Sequence, residues 1–407
     1  MALMQSYFYL WRRLVPAYAA GYFLSYGLRS VNAVIAPELM RELGIAGAGM
    51  GLLTSAYFLA FGLFQLPLGL LLDRFGPRRV EAALLLLAAA GCALFGLGQS
   101  LLTLALARAL IGLGVSSCLM ASFKAFSQWF APERLPSLTA TIMVAGGLGA
   151  LCASVPVEAA LPLMGWRGVF FLVAALLVLT AGYLLTAPDK PAVAHSEPLW
   201  QQIRALGSIF GNRVFWRFAP QGCVTTGSFM AIQGLWAVPW LMEVNRASRA
   251  DAAGVLFLMG LAMLVGFVFV ATCSGWLARR RVTPMRLLGA GIGMGLLVQL
   301  AIILELAHAR WLWPMLGLSF SLSNIAYSQL SAAFPVALSG RVNTALNLMV
   351  FVGAFGLQWG IGALVDALAS AGSDRPQAFR ITFSVLLATQ VLAFAWFMRP
   401  VQGKRQT

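Results

Sequence analysis

Arg29, Arg108 and Lys124 each interrupt a long apolar stretch in a 407-residue chain that is 60% hydrophobic and only 10% charged. A charged side chain at membrane depth costs roughly 2.5–3.5 kcal/mol or more, so it marks a pathway or a partner. Acids that could answer these three are few. Glu38, Glu158, Glu305 and Asp366 are expected near the outer face, leaving basic charge central and acidic charge peripheral. That distribution attracts anions. Glu158 is the candidate for a titrating group because its surroundings are apolar. Structural pairing with a neighbouring Arg is its alternative role.

Other chemistries find little support. The five Cys lie in apolar stretches without a CxxC or a Cys/His cluster at zinc spacing, so neither a metal site nor a cofactor is expected. His195 and His308 read as a loop residue and an outer-face residue. Met259 and Met263 share a helical face, and thioethers bind Cu(I), which makes copper import one alternative. There is no phosphate-binding loop, Gly-x-Ser-x-Gly elbow or HExxH pair, so an enzyme is not expected.

The elements that must position these residues are membrane-crossing helices, each needing about 20 mainly apolar residues. Apolar segments recur in two sets of six: 14–36, 47–71, 80–98, 102–126, 137–161 and 168–187, then 215–241, 252–277, 284–306, 311–333, 343–367 and 379–398. A polar, Pro-bearing stretch separates the sets. The expected organisation is an all-α membrane protein of twelve transmembrane helices. An N-terminal six-helix bundle covers 1–187, a cytoplasmic linker 188–214 and a C-terminal six-helix bundle 215–407. The net charge of +15 would suggest nucleic acid on a soluble chain. Here about 18 basic residues fall inside and about seven outside when the N-terminus is cytoplasmic, which satisfies the positive-inside rule. Both termini are therefore expected in the cytoplasm, with no cleavable signal and no nucleic-acid partner.

The most specific motif lies between segments two and three: Gly69-Leu-Leu-Leu-Asp73-Arg74-Phe-Gly76-Pro-Arg78-Arg79. Asp73 stands at a helix end where it can pair with Arg across a helix joint, and Gly76 makes the tight turn. A degenerate copy, Gly275-Trp-Leu-Ala-Arg279-Arg280-Arg281, recurs in the second set, and segment four reads Arg108-Ala-Leu-Ile-Gly112-Leu-Gly114. Over essentially the whole chain this resembles the major facilitator superfamily. The resemblance implies two pseudo-symmetric bundles that rock around a midplane site in alternating access. Asp73, Arg74, Arg108 and Glu158 are the expected coupling or gating residues. With no ATP site, a secondary carrier is implied.

Two further stretches look like one branch, the organic-anion:cation symporters. Pro37 follows Arg29 by eight residues, and Lys124 is followed by Ser127-Gln-Trp129-Phe130 and then Glu133-Arg134. In that branch the two basic side chains hold the substrate's carboxylate or phosphate, so the resemblance makes Arg29 and Lys124 the anion-binding pair. The chain departs from the branch at Leu28, where Asp is usual, at Asn32, three rather than two residues after the arginine, and at Lys124, commonly Arg. No helix-one carboxylate is left to carry a proton. Arg29 could instead pair with a carboxylate or carbonyl inside the bundle, and Lys124 could snorkel toward the cytoplasm.

Tyr26, Asn32, Gln233, Asn347 and Gln358 are expected to line the cavity, with Gln221, Trp236, Asn324, Tyr327 and Trp359 beside them. Interhelical packing bonds are the other use for such amides. The expected function is proton-coupled uptake of a small organic anion, a carboxylate, by a monomer in a bacterial-type inner membrane. Efflux of a hydrophobic or zwitterionic compound and a non-transporting membrane sensor are the remaining alternatives. Segment five lacks the Gly-Pro pair of drug exporters, which weighs against efflux.

Overall fold

Apolar runs of this length satisfy their backbone in lipid only by closing hydrogen bonds internally. The computed structural model describes residues 2–130, 135–190, 207–306, 309–335 and 338–399, and among them there is no strand. Helix α1 (Ala2–Ser30) breaks at Val31 and continues as α2 (Asn32–Leu43). Next come α3 (Gly47–Phe75), α4 (Pro77–Leu97), α5 (Leu101–Val115), α6 (Cys118–Trp129), α7 (Leu135–Cys152) and α8 (Val155–Leu185). Beyond 207, α9 (Arg213–Gln221), α10 (Gly227–Ala231) and α11 (Ala237–Glu243) are joined by π-helical turns at Gly222–Thr226 and Ile232–Trp236. The rest is α12 (Arg249–Arg279), α13 (Pro284–Ile303), α14 (Ala309–Ser323), α15 (Ile325–Ala332), α16 (Ser339–Ser370) and α17 (Arg375–Met398).

Side chains fix where several helices begin. Ser100, Asn212, Thr283 and Asp374 each accept a backbone N–H of the first turn of α5, α9, α13 and α17. Among the described residues eight helical stretches are long and apolar enough to cross a bilayer. The expected segments 14–36, 137–161, 215–241 and 311–333 are helical as well, but each is interrupted. Breaks fall in the first and fourth segment of both sets and in the fifth of the first set. At two of them a short polar side chain competes with the backbone: Ser116 Oγ donates to Leu113 O at 2.7 Å, and Asn324 Nδ2 donates to Phe320 O at 3.0 Å.

The helices before 191 pack chiefly among themselves, through α1 with α7, α3 with α5 and α4 with α8. Those after 206 do the same, through α12 with α14 and α13 with α14 and α17. The two groups meet along α3 with α16 and α7 with α12. Large apolar side chains such as Leu163, Leu179, Leu297 and Leu392 stand exposed on the outside, as a lipid-facing surface requires.

The Gly69–Arg79 motif is built at the end of the fold where α1 begins, called proximal below. Gly76 takes a φ of +79°, which turns the chain between α3 and α4. Arg78 Nη2 pairs with Asp189 at 3.0 Å, and its Nη1 donates to Leu185 O and Ala187 O at 3.1 and 2.8 Å. Arg79 reaches the same Asp189 at 3.7 Å. The motif thus rivets the start of α4 to the end of α8. Arg74 is exposed beside the Phe75 ring. The side chains of Asp73 and Arg279, and residues Glu133, Arg134, His195 and His308, lie outside the described residues.

Candidate functional site

Arg29 sits one residue before the last residue of α1, and the chain around it supplies rings where a counterion would be expected. Its guanidinium carbon lies 4.6 Å from the centre of the Tyr26 ring, 5.3 Å from Phe61 and 5.5 Å from Phe351. The hydroxyls of Tyr57 and Tyr22 are close by. Nε is buried without a hydrogen-bond partner, and among the described residues no carboxylate pairs with this arginine. Aromatic faces stabilise a cation without neutralising it. Among the described residues, neither of the simpler expectations for Arg29, a carboxylate or a carbonyl partner inside the bundle, is seen.

The polar residues expected around it lie on both sides of it along the axis. Asn32 donates from Nδ2 to Thr54 Oγ1 at 2.9 Å, while its buried Oδ1 has no partner. Gln358 on α16 is fully buried, and neither its Oε1 nor its Nε2 has a partner. Its backbone carbonyl accepts from Trp236 Nε1 at 3.0 Å. Gln233 is buried in the second π-turn, and the next residue, Gly234, lies between the Arg29 carbonyl and the Gln358 amide. Asn347, one turn before Phe351, accepts from the Tyr327 hydroxyl at 3.0 Å. Tyr327 is within electrostatic reach of Tyr26 and Arg29. Unpartnered amide groups are costly in a buried setting. Along α16, Asn347 and Gln358 stand eleven residues or about 16 Å apart, so the Tyr327–Asn347 pair lies on the proximal side of Phe351, and Gln358 lies toward the distal Gly51 seam.

Lys124 is placed elsewhere. The pairs Ser25–Val115, Gly21–Cys118 and Tyr18–Phe126 show α1 and the α5–α6 segment running antiparallel. By that register Lys124 stands level with Tyr18 to Gly21, roughly nine residues or about 14 Å proximal to Arg29. Arg108 is the residue at the level of Leu28. It is 1% exposed, donates from Nη1 to Leu28 O at 3.0 Å, and stacks near Phe95 and Phe170 at 4.8 and 5.1 Å. The carbonyl it holds lies one turn before the break at Val31, where the regular helix pattern is interrupted. Of the remaining expected cavity residues, Trp359 is 47% exposed on the lipid side, Gln221 bonds locally to Thr225, and Asn324 bonds back along its own helix. Met259 and Met263 are both packed in the core.

At the distal end, opposite the start of α1, the two groups of helices are clamped together. Arg249 of α12 reaches Glu38 of α2 at 3.2 Å, Glu158 of α8 at 2.9 Å and Val34 O at 3.1 Å. Glu158 is thus ion-paired across the interface. Asp366 of α16 accepts from the first backbone N–H groups of α3, Gly47 at 3.2 Å and Ala48 at 2.6 Å. Below this cap a Cβ on Gly51 would lie 2.6 Å from Gln358 O, and one on Gly362 would collide with Gly47 O. Arg249→Ala is expected to open the clamp. Two partly buried ion pairs on one arginine are worth about 1–1.5 kcal/mol, so the closed state loses roughly tenfold in population. Spin labels on Leu163 and Ala371 would report the longer distance, and an unchanged distribution would remove Arg249 from the clamp.

Four buried features carried no sequence signal strong enough to notice: Tyr57 and Phe351 beside Arg29, the Gln299–Gln390 bond of 2.8 Å within the second group, and Glu81. Glu81 begins an apolar segment directly after two arginines, a position that reads as part of the loop.

The family model described as Major Facilitator Superfamily matches residues 18–357. The chain is 26% identical to the probable sulfoacetate transporter of Cupriavidus necator, over 61% of this chain and 60% of that protein. It is also 26% identical to the probable L-galactonate transporter of Escherichia coli K12, over 64% of this chain and 58% of that protein. These matches therefore span about three fifths of each relative's length. In three dimensions it is similar to a bacterial homologue of the human lysosomal transporter Spinster, in an inward-facing, unoccupied conformation. The TM-score is 0.76 at 17% identity, covering 94% of this chain and 95% of the other.

Proposed function

The chain belongs to the major facilitator superfamily, a family of multi-pass membrane transporters rather than enzymes, and from that membership we propose that it carries a small organic acid across a bacterial inner membrane. Arg29 is the anion's anchor. The observation that supports this is its guanidinium, which has no carboxylate partner among the described residues and is held among the Tyr26, Phe61 and Phe351 rings with Nε buried and unpartnered. An incoming carboxylate or sulfonate supplies the missing charge and acceptors at once. The Tyr327–Asn347 pair, one turn from Phe351, meets the hydroxyls or carbonyl of the same molecule, and Asn32 and Gln358 line the path toward the distal seam. Lys124, about 14 Å toward the proximal end, attracts the anion along its route and does not share the carboxylate with Arg29.

The N-terminal bundle 1–187 and the C-terminal bundle 215–407 rock about this site, joined by the cytoplasmic linker 188–214. By the positive-inside distribution the termini and the proximal end are cytoplasmic, so the clamped distal end faces the periplasm. Uptake is driven by protons, and the monomer is the working unit.

A thermal-shift panel on detergent-solubilised protein tests the substrate class. Sulfoacetate and L-galactonate are compared with neutral hexoses, amines and copper. A ligand at 100 times its Kd adds about 2.7 kcal/mol, a rise in melting temperature that is readily measured. The anions are expected to stabilise and the neutral and cationic compounds are not. Stabilisation by amines without any by anions overturns the proposal.

A further inference from the structure

Glu81 lies in the first turn and a half of α4 and is 0% exposed. Both carboxyl oxygens lack a hydrogen-bond partner among the described residues. Oε1 is pressed against the α carbon side of Gly21, so closely that a Cβ there would collide with it. The thiol of Cys118, at the start of α6, is on the same side. Cys118 follows the break at Ser116–Ser117, where Ser117 Oγ is also buried and unpartnered.

The surrounding charges are accounted for element by element. From α1, Tyr18 faces Glu81, and from α6 Cys118 does, with Lys124 a turn and a half beyond it. On α4 itself Arg78 turns away to Asp189 and the Leu185 and Ala187 carbonyls. α5 commits Arg108 to Leu28 O, α8 brings Tyr183 to Arg12 O, and α3 ends in the exposed Arg74. Among the described residues no ion pair reaches Glu81. A carboxylate with neither a cation nor a strong donor against it is the costliest form a buried acid can take. The geometry is that of a neutral carboxylic acid sealed from water.

We propose that Glu81 is the proton carrier of the transport cycle, bearing its proton in the closed arrangement seen here and releasing it when α1 moves off α4. This rests on the anion-transport reading above and adds to it the group that couples the proton. The mechanical link is α1: Gly21, which seals Glu81, and Arg29, which meets the anion, lie on that one helix about 12 Å apart. A shift of α1 that accompanies anion binding or release therefore also changes water access to Glu81. The proton leaves as H+ to water and the carboxylate remains, to be reprotonated before the next closure.

The test uses full-length protein in vesicles containing a pH-sensitive dye, with sulfoacetate and L-galactonate as probes. Glu81→Gln imitates the neutral acid. It should keep substrate counterflow, which needs no net proton movement, while pH-driven accumulation and the accompanying proton flux fall at least tenfold. Proton flux with substrate at the wild-type ratio in E81Q overturns the proposal. An infrared measurement stands apart from substrate and from folding of the variant. Substrate-free wild-type protein should show a protonated carboxyl stretch at pH 7 that is lost on alkaline titration, is absent from E81Q and is displaced in E81D. If neither probe is carried, the anion reading is what fails, and the infrared band still decides Glu81: its absence from wild type overturns the assignment.

Discussion

Arg29→Gln leaves the protein folded and weakens binding of a carboxylate or sulfonate by about two orders of magnitude or more. Truncating one partner of a buried, hydrogen-bonded charge pair costs about 2–5 kcal/mol, and 2.7 kcal/mol is already a hundredfold. Folding should survive because among the described residues no carboxylate pairs with the guanidinium. A buried cation without a partner is itself a cost, so its removal is neutral or mildly stabilising in the empty protein. Arg29→Lys separates charge from shape. It keeps the positive charge but loses the planar fork and much of the stacking on Tyr26, Phe61 and Phe351. Its affinity should fall between wild type and Gln. Titration calorimetry in detergent with sulfoacetate and L-galactonate checks the order, and wild-type affinity in the Gln variant would take Arg29 out of the site.

The second large effect comes from a residue with no side chain. Gly362→Val is expected to abolish transport while both groups of helices stay folded. A Cβ at 362 collides with the Gly47 carbonyl and sits 2.9 Å from Ala48 N, all of it backbone, so no rotamer can relieve the contact. Overpacking of a close joint typically costs about 1–3 kcal/mol. Here the joint lies between α3 and α16, so that cost falls on the closed arrangement rather than on either group's own core. The distal end is held apart, and the label distance between residues 163 and 371 lengthens as for Arg249→Ala, but more completely. Gly353→Val is the contrasting control, because its Cβ would strike Cys223 O within the second group. That variant should lower the melting temperature, whereas Gly362→Val should not. A Gly362→Val protein that transports at the wild-type rate would show that the seam does not need to close this tightly.

How far the sequence could be read depended on what each feature costs in lipid. Apolar runs of this length close their backbone hydrogen bonds internally, so the eight helices long and apolar enough to span, among the described residues, stand where hydropathy placed them. Arg29 and Arg108 were conspicuous for the same reason, since a charge inside such a run has no neutral explanation. What distinguishes them is third-dimensional: Arg108 gives one N–H to the Leu28 carbonyl near a helix break, and Arg29 lies among rings and tyrosine hydroxyls with no carbonyl partner among the described residues. The pairing of Arg29 with Lys124 came from resemblance, and the antiparallel register of α1 with α5 and α6 separates the two along the axis. Glu158 had two readings, and the ion pair with Arg249 comes from a helix distant in sequence. Glu81 was hidden by its neighbours Arg78 and Arg79, which made the start of α4 look solvated although the carboxyl points inward. Breaks inside helices were equally hard to see. Ser and Asn interrupt a helix only where neighbouring helices can take over the freed carbonyls, as Ser25 and Gln65 do for Val115 and Ser116.

In the rocking cycle proposed above, the seam where Gly51 meets Gln358 O and Gly362 meets Gly47 O is made and unmade each time. A seam of interdigitating long side chains would freeze rotamers at each closure, at about 0.5–2 kcal/mol apiece for larger residues. Glycine and backbone have no rotamers to freeze. At these glycine contacts closure therefore changes almost no side-chain entropy, unlike at the Arg249 clamp beside them. Its equilibrium should depend only weakly on temperature through that route, leaving the balance of open and closed states to the substrate and to the few charged contacts that ring the seam.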